Sequence, residues 1–447
     1  MMESLKFKDN TSDISIDEPE KYYSLSNIAN RPVSELKDEK GFNLLIFPNS
    51  LKECEDEAGK QCVLSLQDKW KEDKCISMSV STGNLMGFIG IGDVRLSIQS
   101  RFAEHTKEDY FLHYMLQKVL SINLFNLKHN TSDEQVFDFL LYLFPKYLNE
   151  ALSQGLYKSY KYQEYNDANV KGVIDINQHI RRNIPFNGHV AYRTREFSYD
   201  NPVTQLVRHT IEYIRHHNVG RMILLNDAET QASVSRIIYA TPTYNVQSRQ
   251  TVIKKNIRPV QHPYFTHYRV LQKLCLQILH HEGLKYGTKK DEVYGILFDG
   301  AWLWEEYLAT LLVPKGFEHP QNLKSKGTVY LGKEKKFPRY PDFYDIKENG
   351  IILDAKYKRD IDTRNDINQM VTYLYRLKGH LGGFIQPTDK PKTTKKYPLL
   401  GYGIDNKVQI SLFNLLIPQK IDSQKDFNSQ MMNSETELYH LIQNYED

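Results

Sequence analysis

Two aspartates and one lysine near the C-terminus are residue types that can form a metal-dependent site for hydrolysis of phosphodiester bonds. They lie in the stretch RYPDFYDIKENGIILDAKYK, residues 339–358, where Asp342 follows a proline and Asp354 stands two residues before Lys356. Two carboxylates and a phosphate oxygen suit Mg²⁺, which polarises the phosphate and activates a bound water. A neighbouring ammonium can orient that water or offset developing negative charge. The competing interpretation is a solvated strand end, because Pro-Asp followed by Asp-x-Lys also arises by chance in long chains.

A β-hairpin is the element that can bring these three side chains together. The residues on either side of the Asn-Gly pair at 349–350 read as two short strands joined by a tight turn. Side chains two apart on a strand share a face, so Asp354 and Lys356 point together. Folding the hairpin places Asp342 opposite a residue near 355–357, in a register that the sequence leaves open. The sequence therefore predicts that two carboxylates and an ammonium converge.

The helix predicted before this hairpin carries two adjacent glutamates. The sequence DGAWLWEEYLATLLVPKGF predicts a helix with Asp299 as its N-cap and an end at 314–316. Glu305 falls on an apolar stripe, where a carboxylate needs a cation or hydrogen-bond partners. Alternatively, the helix is rotated so that Glu305 and Glu306 are both exposed.

A second helix is predicted over 362–379, after the hairpin. It aligns Gln369 and Tyr373 on one face, where they can hydrogen-bond the phosphate or support Lys356. Lysines follow in a predicted loop that can hold the DNA backbone or remain solvated, namely Lys390, Lys392, Lys395 and Lys396. The DNA contacts predicted from this region are those of Tyr373, Lys358, Lys395 and Lys396.

Composition bounds the class of protein. The 447 residues are 40% hydrophobic and 25% charged, which is typical of a globular chain of two or three domains. The formal net charge is only +3, so a nucleic-acid surface must be local. No Gly-x-x-x-x-Gly-Lys-Ser/Thr motif occurs, which argues against nucleotide hydrolysis by this route. The polar, acidic opening does not resemble a signal peptide, and we expect a cytoplasmic protein without membrane segments.

The periodicity of the chain changes along its length. The first hundred residues read as β-rich, with alternation over 94–99 and a charged insert at about 54–75; helical periodicity begins near residue 108. The predicted class is an α+β N-terminal and middle region, β-rich and then helical, followed by an α/β C-terminal domain. The predicted domains are 1–107, 108–255 and 256–447. A β-like segment predicted in the middle domain, before a helix that follows Asn201-Pro202, carries four arginines that can meet DNA phosphates or be ordinary surface residues: Arg181, Arg182, Arg193 and Arg195.

The order of these motifs resembles the PD-(D/E)xK nuclease superfamily. The segments LWEEYL, YPDFYDI, IILDAKYK and DINQMVTYLY are most similar to the nuclease domain of the McrC family, the cutting subunit of McrBC-type restriction systems. The segments GLYKSYKYQEYNDANVKGVIDI and REFSYDNPVTQLV also look like the middle region of that family. The resemblance begins at about residue 109, and the first hundred residues match only loosely.

The resemblance implies a role for each motif residue. It makes Asp342 and Asp354 the metal ligands for Mg²⁺, or for Mn²⁺ in its place, and Lys356 the catalytic lysine. Glu305 corresponds to the acid of the preceding helix, with neighbouring Glu306 as the alternative, and Gln369 to a position on the following helix. This sequence has Asp at position 354, where many relatives have Glu; both supply a carboxylate.

The resemblance also implies a partner. McrC-like chains act with an McrB-like AAA+ GTPase ring that binds GTP and the DNA target, while part of their N-terminal half enters the ring and stimulates hydrolysis. By this analogy the region 1–107 is the candidate ring contact, and double-stranded foreign DNA, including cytosine-modified DNA, is the substrate. Two alternatives stay open: a self-sufficient repair or recombination nuclease, and a non-enzymatic scaffold that activates a partner NTPase.

Overall fold

A computed structural model gives the architecture of the chain. It describes residues 3–16, 24–36, 42–48, 61–71, 74–91, 94–103, 109–120, 132–217, 220–225, 227–284, 293–320, 328–345, 350–400 and 408–444. Within these residues, helices and strands are mixed along the whole chain, as the sequence predicts. Part of the charged insert, including Cys54, and the predicted turn residue Asn349 lie outside the described residues.

The described strands are β1 Glu3–Lys8, β2 Ile14–Ile16, β3 Phe42–Phe47, β4 Leu64–Lys71, β5 Lys74–Thr82, β6 Leu85–Ile91, β7 Val94–Gln99, β8 Ser159–Asp167, β9 Val173–Ile174, β10 Val190–Ser198, β11 Val293–Asp299, β12 Val329–Gly332, β13 Lys336–Arg339, β14 Phe343–Asp345, β15 Ile351–Ala355, β16 Leu381–Thr388, β17 Lys395–Pro398 and β18 Gln409–Leu416. The described α-helices are α1 Val33–Leu36, α2 Tyr110–Leu120, α3 Ser132–Ser153, α4 Ile176–Arg182, α5 Pro202–His216, α6 Gly220–Leu225, α7 Ala228–Ala240, α8 Arg249–Lys255, α9 His267–Leu284, α10 Gly300–Leu312, α11 Asn365–Leu377 and α12 Gln424–Gln443. None of the helices described here is long and apolar enough to cross a membrane.

The chain forms two compact units, and the first is built from both ends of the sequence. It comprises Met1–Phe125 and Lys289–Asp447, and the second comprises Asn126–Thr288. In the first unit, β11 lies between β6 and β3 in a sheet of order β1-β7-β6-β11-β3. The predicted boundary at 107/108 therefore falls inside the first unit and that at 255/256 inside the second. The three-domain division stays a prediction.

The second unit combines helices α3 to α9 with a sheet of order β8-β10-β9. Asn201 caps α5 by accepting hydrogen bonds from Val203 and Thr204, which explains why this helix begins at the Asn-Pro pair. The sequence predicted a β-like segment around Arg181, Arg182, Arg193 and Arg195. The structure corrects this for Arg181 and Arg182, which lie in α4, because Asp175 caps a short helix there; Arg193 and Arg195 lie in β10.

The sheet that carries Asp354 belongs to the first unit. Its order is β14-β15-β16-β18-β17, with β15, β16 and β18 parallel and both edge strands antiparallel to their neighbours. All of β16 is buried, as is typical of a central parallel strand. Helix α11 connects β15 to β16, and its Met370 and Leu374 pack against Ile352 and Phe384. This packing fixes the helix over the sheet.

Both helices predicted to flank the motif are present with small shifts in their bounds: α10 ends at Leu312, before the predicted end at 314–316, and α11 is shorter than the predicted 362–379. Asp299 accepts hydrogen bonds from the N–H groups of Ala301 and Trp302 at the start of α10, and Gly316 adopts a left-handed conformation after its end. The predicted second helix is α11. The loop predicted for Lys395 and Lys396 is wrong, because pairing with β18 draws these residues into the edge strand β17.

We predict that Gly87→Ala prevents stable folding of the first unit. Gly87 lies in β6 with φ of +136°, and a Cβ there would lie 2.1 Å from the carbonyl oxygen of Ile296 on the adjacent strand. The backbone cannot yield without breaking the β6–β11 pairing, so we expect a loss of more than about 3 kcal/mol in the free energy of unfolding. Urea unfolding measures it. Gly155→Ala is the matched control, since Gly155 also has positive φ but has open space around it. Equal losses in the two variants would contradict this prediction.

Candidate active site

The hairpin of β14 and β15 brings the two aspartates face to face. Phe343 pairs with Leu353, which places Asp342 opposite Asp354, one position before the predicted range of 355–357. The Ala355 N–H donates a 2.8 Å hydrogen bond to Asp342 Oδ2. The structure thereby supplies the register that the sequence leaves open. Register follows from the length and geometry of the connection between the strands, which the strand sequences do not specify.

Lys356 points into the same site. Its Nζ lies 2.5 Å from Asp354 Oδ2 and 3.5 Å from Asp366 Oδ1, and it donates a 3.1 Å hydrogen bond to Gln369 Oε1. Burial is the largest single effect on Lys356 and disfavours its charged form, but the charge and hydrogen bond of Asp354, together with the charges of Asp366 and Asp342, outweigh burial and raise the pKa of Lys356. The lysine is thus held as a cation, suited to stabilising negative charge and not to accepting a proton.

A chain of hydrogen bonds supports this lysine from behind. Gln369 Nε2 donates to the Tyr373 hydroxyl at 2.6 Å, and that hydroxyl donates to the Tyr340 carbonyl at 2.9 Å. Tyr373 is only 1% exposed. Of the two roles predicted for Gln369 and Tyr373, this geometry favours support of Lys356 over contact with a phosphate.

Of the two glutamates on α10, Glu305 acts on the aspartates. Burial, followed by the charges of Glu305 and Asp354, raises the pKa of Asp342 well above its usual range. Burial also raises the pKa of Asp354, against the effect of Lys356. The pKa of Glu305 itself is raised to about 7, mainly by burial, with the charge of His319 opposing. The charges of Glu305 and Asp354 thus both disfavour ionisation of Asp342, and the charge of Asp354 also disfavours ionisation of Glu305.

His319 is a site residue that the sequence analysis missed. A bridge between Glu318 and Tyr344 brings it beside the hairpin of β14 and β15, where its Nδ1 donates a 2.9 Å hydrogen bond to the Asp342 carbonyl. Its ring stacks on Phe343, and its Nε2 lies 3.8 Å from Glu306 Oε1. Because a long-range contact brings His319 into place, its spacing in the sequence gives no signal.

The four residues predicted to contact DNA have different surroundings. Tyr373 is buried, as described above, and the Lys358 ammonium donates a hydrogen bond to Asp366. Lys395 and Lys396 are exposed on β17. Lys395 is in register with Leu412 on β18, Leu412 with Phe384 on β16, and Phe384 with Asp354 on β15. Residues in register share a face, so Lys395 lies on the sheet face of the candidate site. Lys396 is on the opposite face. All four DNA contacts stay predictions.

The carboxylates fit a cation that keeps part of its water shell. Asp354 Oδ2 is buried and makes no hydrogen bond of good geometry, although Lys356 lies beside it. Over the described part of the chain, no group of three or more His, Cys, Asp or Glu side chains forms a complete metal site. Mg²⁺ commonly takes only one or two protein carboxylates, waters and substrate oxygens, so Asp342 and Asp354 fit as its ligands.

We predict that Glu305→Gln raises stability without metal in a pH-dependent way. The pKa of Glu305 is about 7 in the folded chain against a reference value of 4.5, so the folded state binds the proton more tightly. Wild type and variant should be equally stable below about pH 4.5, where Glu305 is neutral in both folded and unfolded states. The advantage of the variant should grow as the pH rises through about 7. Thermal unfolding at several pH values in EDTA measures it, with Glu306→Gln as control. A difference between wild type and Glu305→Gln that did not change with pH would refute the assignment.

A comparison with protein families decides where the chain belongs. A family model described as McrBC 5-methylcytosine restriction system component matches residues 80–387, more than half of the chain. The chain belongs to this McrBC family. The predicted resemblance to McrBC-type restriction systems is thereby confirmed, and the matched range includes Glu305, Asp342, Asp354, Lys356 and Gln369.

Solved structures of McrBC assemblies are similar over much of the chain but at low identity. One is a half-complex from a tetradecameric assembly of Thermococcus gammatolerans McrB AAA+ hexamers with bound McrC; it is 14% identical, with 96% of this chain and 99% of that chain covered and a TM-score of 0.42. Another is the cryo-EM structure of the Thermococcus gammatolerans McrBC complex, also 14% identical, with coverage of 69% and 87% and a TM-score of 0.29. No curated protein matches this McrBC-family chain.

Proposed function

We propose that this chain is the DNA-cleaving subunit of an McrBC-type restriction system. Its C-terminal part would act as a PD-(D/E)xK nuclease that hydrolyses phosphodiester bonds of foreign, including cytosine-modified, duplex DNA with Mg²⁺. The observation that carries the proposal is the convergence of Asp342, Asp354 and Lys356 at the end of β15. A strand end has no physical need to hold two carboxylates together beside a supported ammonium.

Each residue of the site has a defined task in this proposal. Asp342 and Asp354 hold the metal ion, which when bound supplies Lewis-acid activation of the phosphate and of a water. Lys356 offsets the negative charge that develops on the phosphate, and Gln369 keeps its ammonium in position. The charge of Glu305 acts on Asp342, and the charge of Asp354 acts on Glu305. Glu305 can therefore hold a proton or a water beside the two aspartates.

Membership of a restriction-system family supports a multi-component activity. We propose that an McrB-like AAA+ GTPase binds GTP and selects the DNA, and that this chain stimulates its hydrolysis. The ring contact is proposed to lie within 1–107. Each site would cut one strand, so a double-strand break would require two copies of the nuclease domain.

The test is plasmid cleavage by this chain, alone and with the AAA+ GTPase of its system. Modified and unmodified plasmids are incubated with Mg²⁺ and GTP, and Asp354→Ala is assayed in parallel. We expect cleavage only in the complete mixture, abolished by Asp354→Ala, while stimulation of the GTPase survives.

The other outcomes separate the alternatives. Cleavage without partner or GTP would identify a self-sufficient nuclease. GTPase stimulation without any cleavage would identify an activating scaffold. Unchanged cleavage by Asp354→Ala would mean that the site lies elsewhere, and nicking without double-strand breaks at every protein ratio would overturn the two-copy arrangement.

A further inference from the structure

A short hairpin directly precedes the catalytic Pro-Asp and was not singled out by its sequence. Strands β12 and β13 pair antiparallel and are joined by a tight turn, Lys333–Lys335. We call residues 329–339 the basic hairpin. Its residues 333–338 are exposed, and only Tyr340 and Pro341 separate it from Asp342.

The charge of this hairpin is concentrated at its tip. The tip, residues 333–336, contains three lysines and one glutamate, and Arg339 at the base brings the net charge of residues 333–339 to +3, equal to that of the whole chain. Lys336 Nζ lies 3.4 Å from Glu334 Oε2, but both side chains are more than half exposed, so this ion pair neutralises little. The tip therefore presents a local positive surface on a nearly neutral protein.

The backbone of the tip is strained. Glu334, Lys335 and Phe337 have φ of 59°, 57° and 59°, in the left-handed region that residues with a Cβ disfavour. The Phe337 ring lies over Gly332, where a Cβ would be 3.0 Å from the ring, and its side chain is 64% exposed. Strain of this kind is concentrated at sites that bind or react, because it persists only where the shape is needed.

The basic hairpin is tied to the helix that supports the catalytic lysine. Arg376 Nε on α11 donates a 2.7 Å hydrogen bond to the Tyr330 carbonyl, and the Tyr373 hydroxyl holds the Tyr340 carbonyl. Gln369, on the same helix, holds Lys356. The orientation of the basic hairpin and the position of the Lys356 ammonium thus both depend on helix α11.

The reach of the hairpin matches a single duplex. At about 3.3 Å per residue, the chain from Lys336 to Asp342 spans at most about 20 Å, less than one turn of B-DNA, about 34 Å. Lysines at the tip and carboxylates at the site can therefore meet the same DNA molecule.

We propose that the basic hairpin binds the phosphate backbone of duplex DNA beside the bond to be cut. This inference rests on the proposed nuclease function and names the surface that positions its substrate. Lys333, Lys335 and Lys336 form the phosphate contacts, and Phe337 shapes the tip by packing over Gly332.

Binding is tested separately from cleavage. Full-length Asp354→Ala chain, unable to cut, is titrated onto a short fluorescein-labelled DNA duplex over a range of salt concentrations. Adding Lys335→Ala and Lys336→Ala should weaken binding several-fold and lower the slope of log K against log salt by about two, one for each lost phosphate contact. The matched control is Lys254→Ala with Lys255→Ala, two adjacent lysines at the end of α8 that are also exposed.

A pair of conservative substitutions controls for misfolding of the alanine variant. Lys335→Arg with Lys336→Arg retains the charge and should bind as the unmodified hairpin does. Unchanged affinity and slope in the alanine pair would overturn the proposal, as would equal losses in the control pair or a loss in the arginine pair. Weaker capture of the AAA+ partner with unchanged DNA binding would make the hairpin a protein contact instead. None of these outcomes bears on whether the wild-type chain cleaves DNA. The proposed nuclease function is therefore tested separately, by the plasmid cleavage assay.

Discussion

Lys356→Ala should reduce DNA cleavage by about 10³-fold, the loss typical when a group that stabilises transition-state charge is removed. The side chain is only 17% exposed, and its ammonium lies within 3.5 Å of Asp354 and Asp366 and is held by Gln369. Its raised pKa keeps it charged at neutral pH. Initial rates of plasmid linearisation in the complete mixture measure the effect, and duplex binding should change far less than the rate.

Lys358→Ala is the matched control for this prediction. Lys358 lies on the same side of the chain and also binds Asp366, but it makes no described contact with Asp354 or Gln369. We therefore expect a loss of less than about tenfold, through weaker DNA binding. If both variants lost cleavage equally, the cause would be the shared partner Asp366, and the special role of Lys356 would be refuted.

Asp342→Asn should remove cleavage and yet stabilise the chain when no metal is present. Burial and the charges of Glu305 and Asp354 raise the pKa of Asp342, so its ionised form destabilises the folded state at neutral pH. A neutral side chain keeps an oxygen for the Ala355 N–H and relieves the repulsion. We expect a gain of about 1–2 kcal/mol in the free energy of unfolding in EDTA.

Magnesium should reverse this order of stability. Binding of Mg²⁺ to the folded state raises the melting temperature of wild type, whereas the variant has lost one ligand and should respond little. Differential scanning calorimetry with EDTA and with Mg²⁺ measures both effects. Asp360→Asn is the control, because the Asp360 side chain is 92% exposed in the same region. Equal stabilisation of wild type and Asp342→Asn by Mg²⁺ would show that Asp342 is not a ligand.

The elements that carry the site follow from local sequence. Asp299 predicts the start of α10 because a side-chain oxygen satisfies free N–H groups at a helix end. The facing of Asp354 and Lys356 follows from the two-residue period of a strand. Membership of the McrBC family was also predicted from these motifs, because each motif is a short continuous run of residues that can be read without knowing the fold.

Tertiary structure decided how these elements meet. Opposition of Asp342 to Asp354, the choice of Glu305, and the presence of His319 depend on register and packing between segments distant in sequence. The position of β11 between β6 and β3 also depends on long-range pairing, and this pairing joins segments that the predicted domain boundaries separate. Periodicity reports which face of an element is buried but not which partner covers it. The sequence therefore predicted Asp342, Asp354 and Lys356 as candidate residues and the helices and strands that hold them, whereas long-range pairing determined their arrangement and added His319.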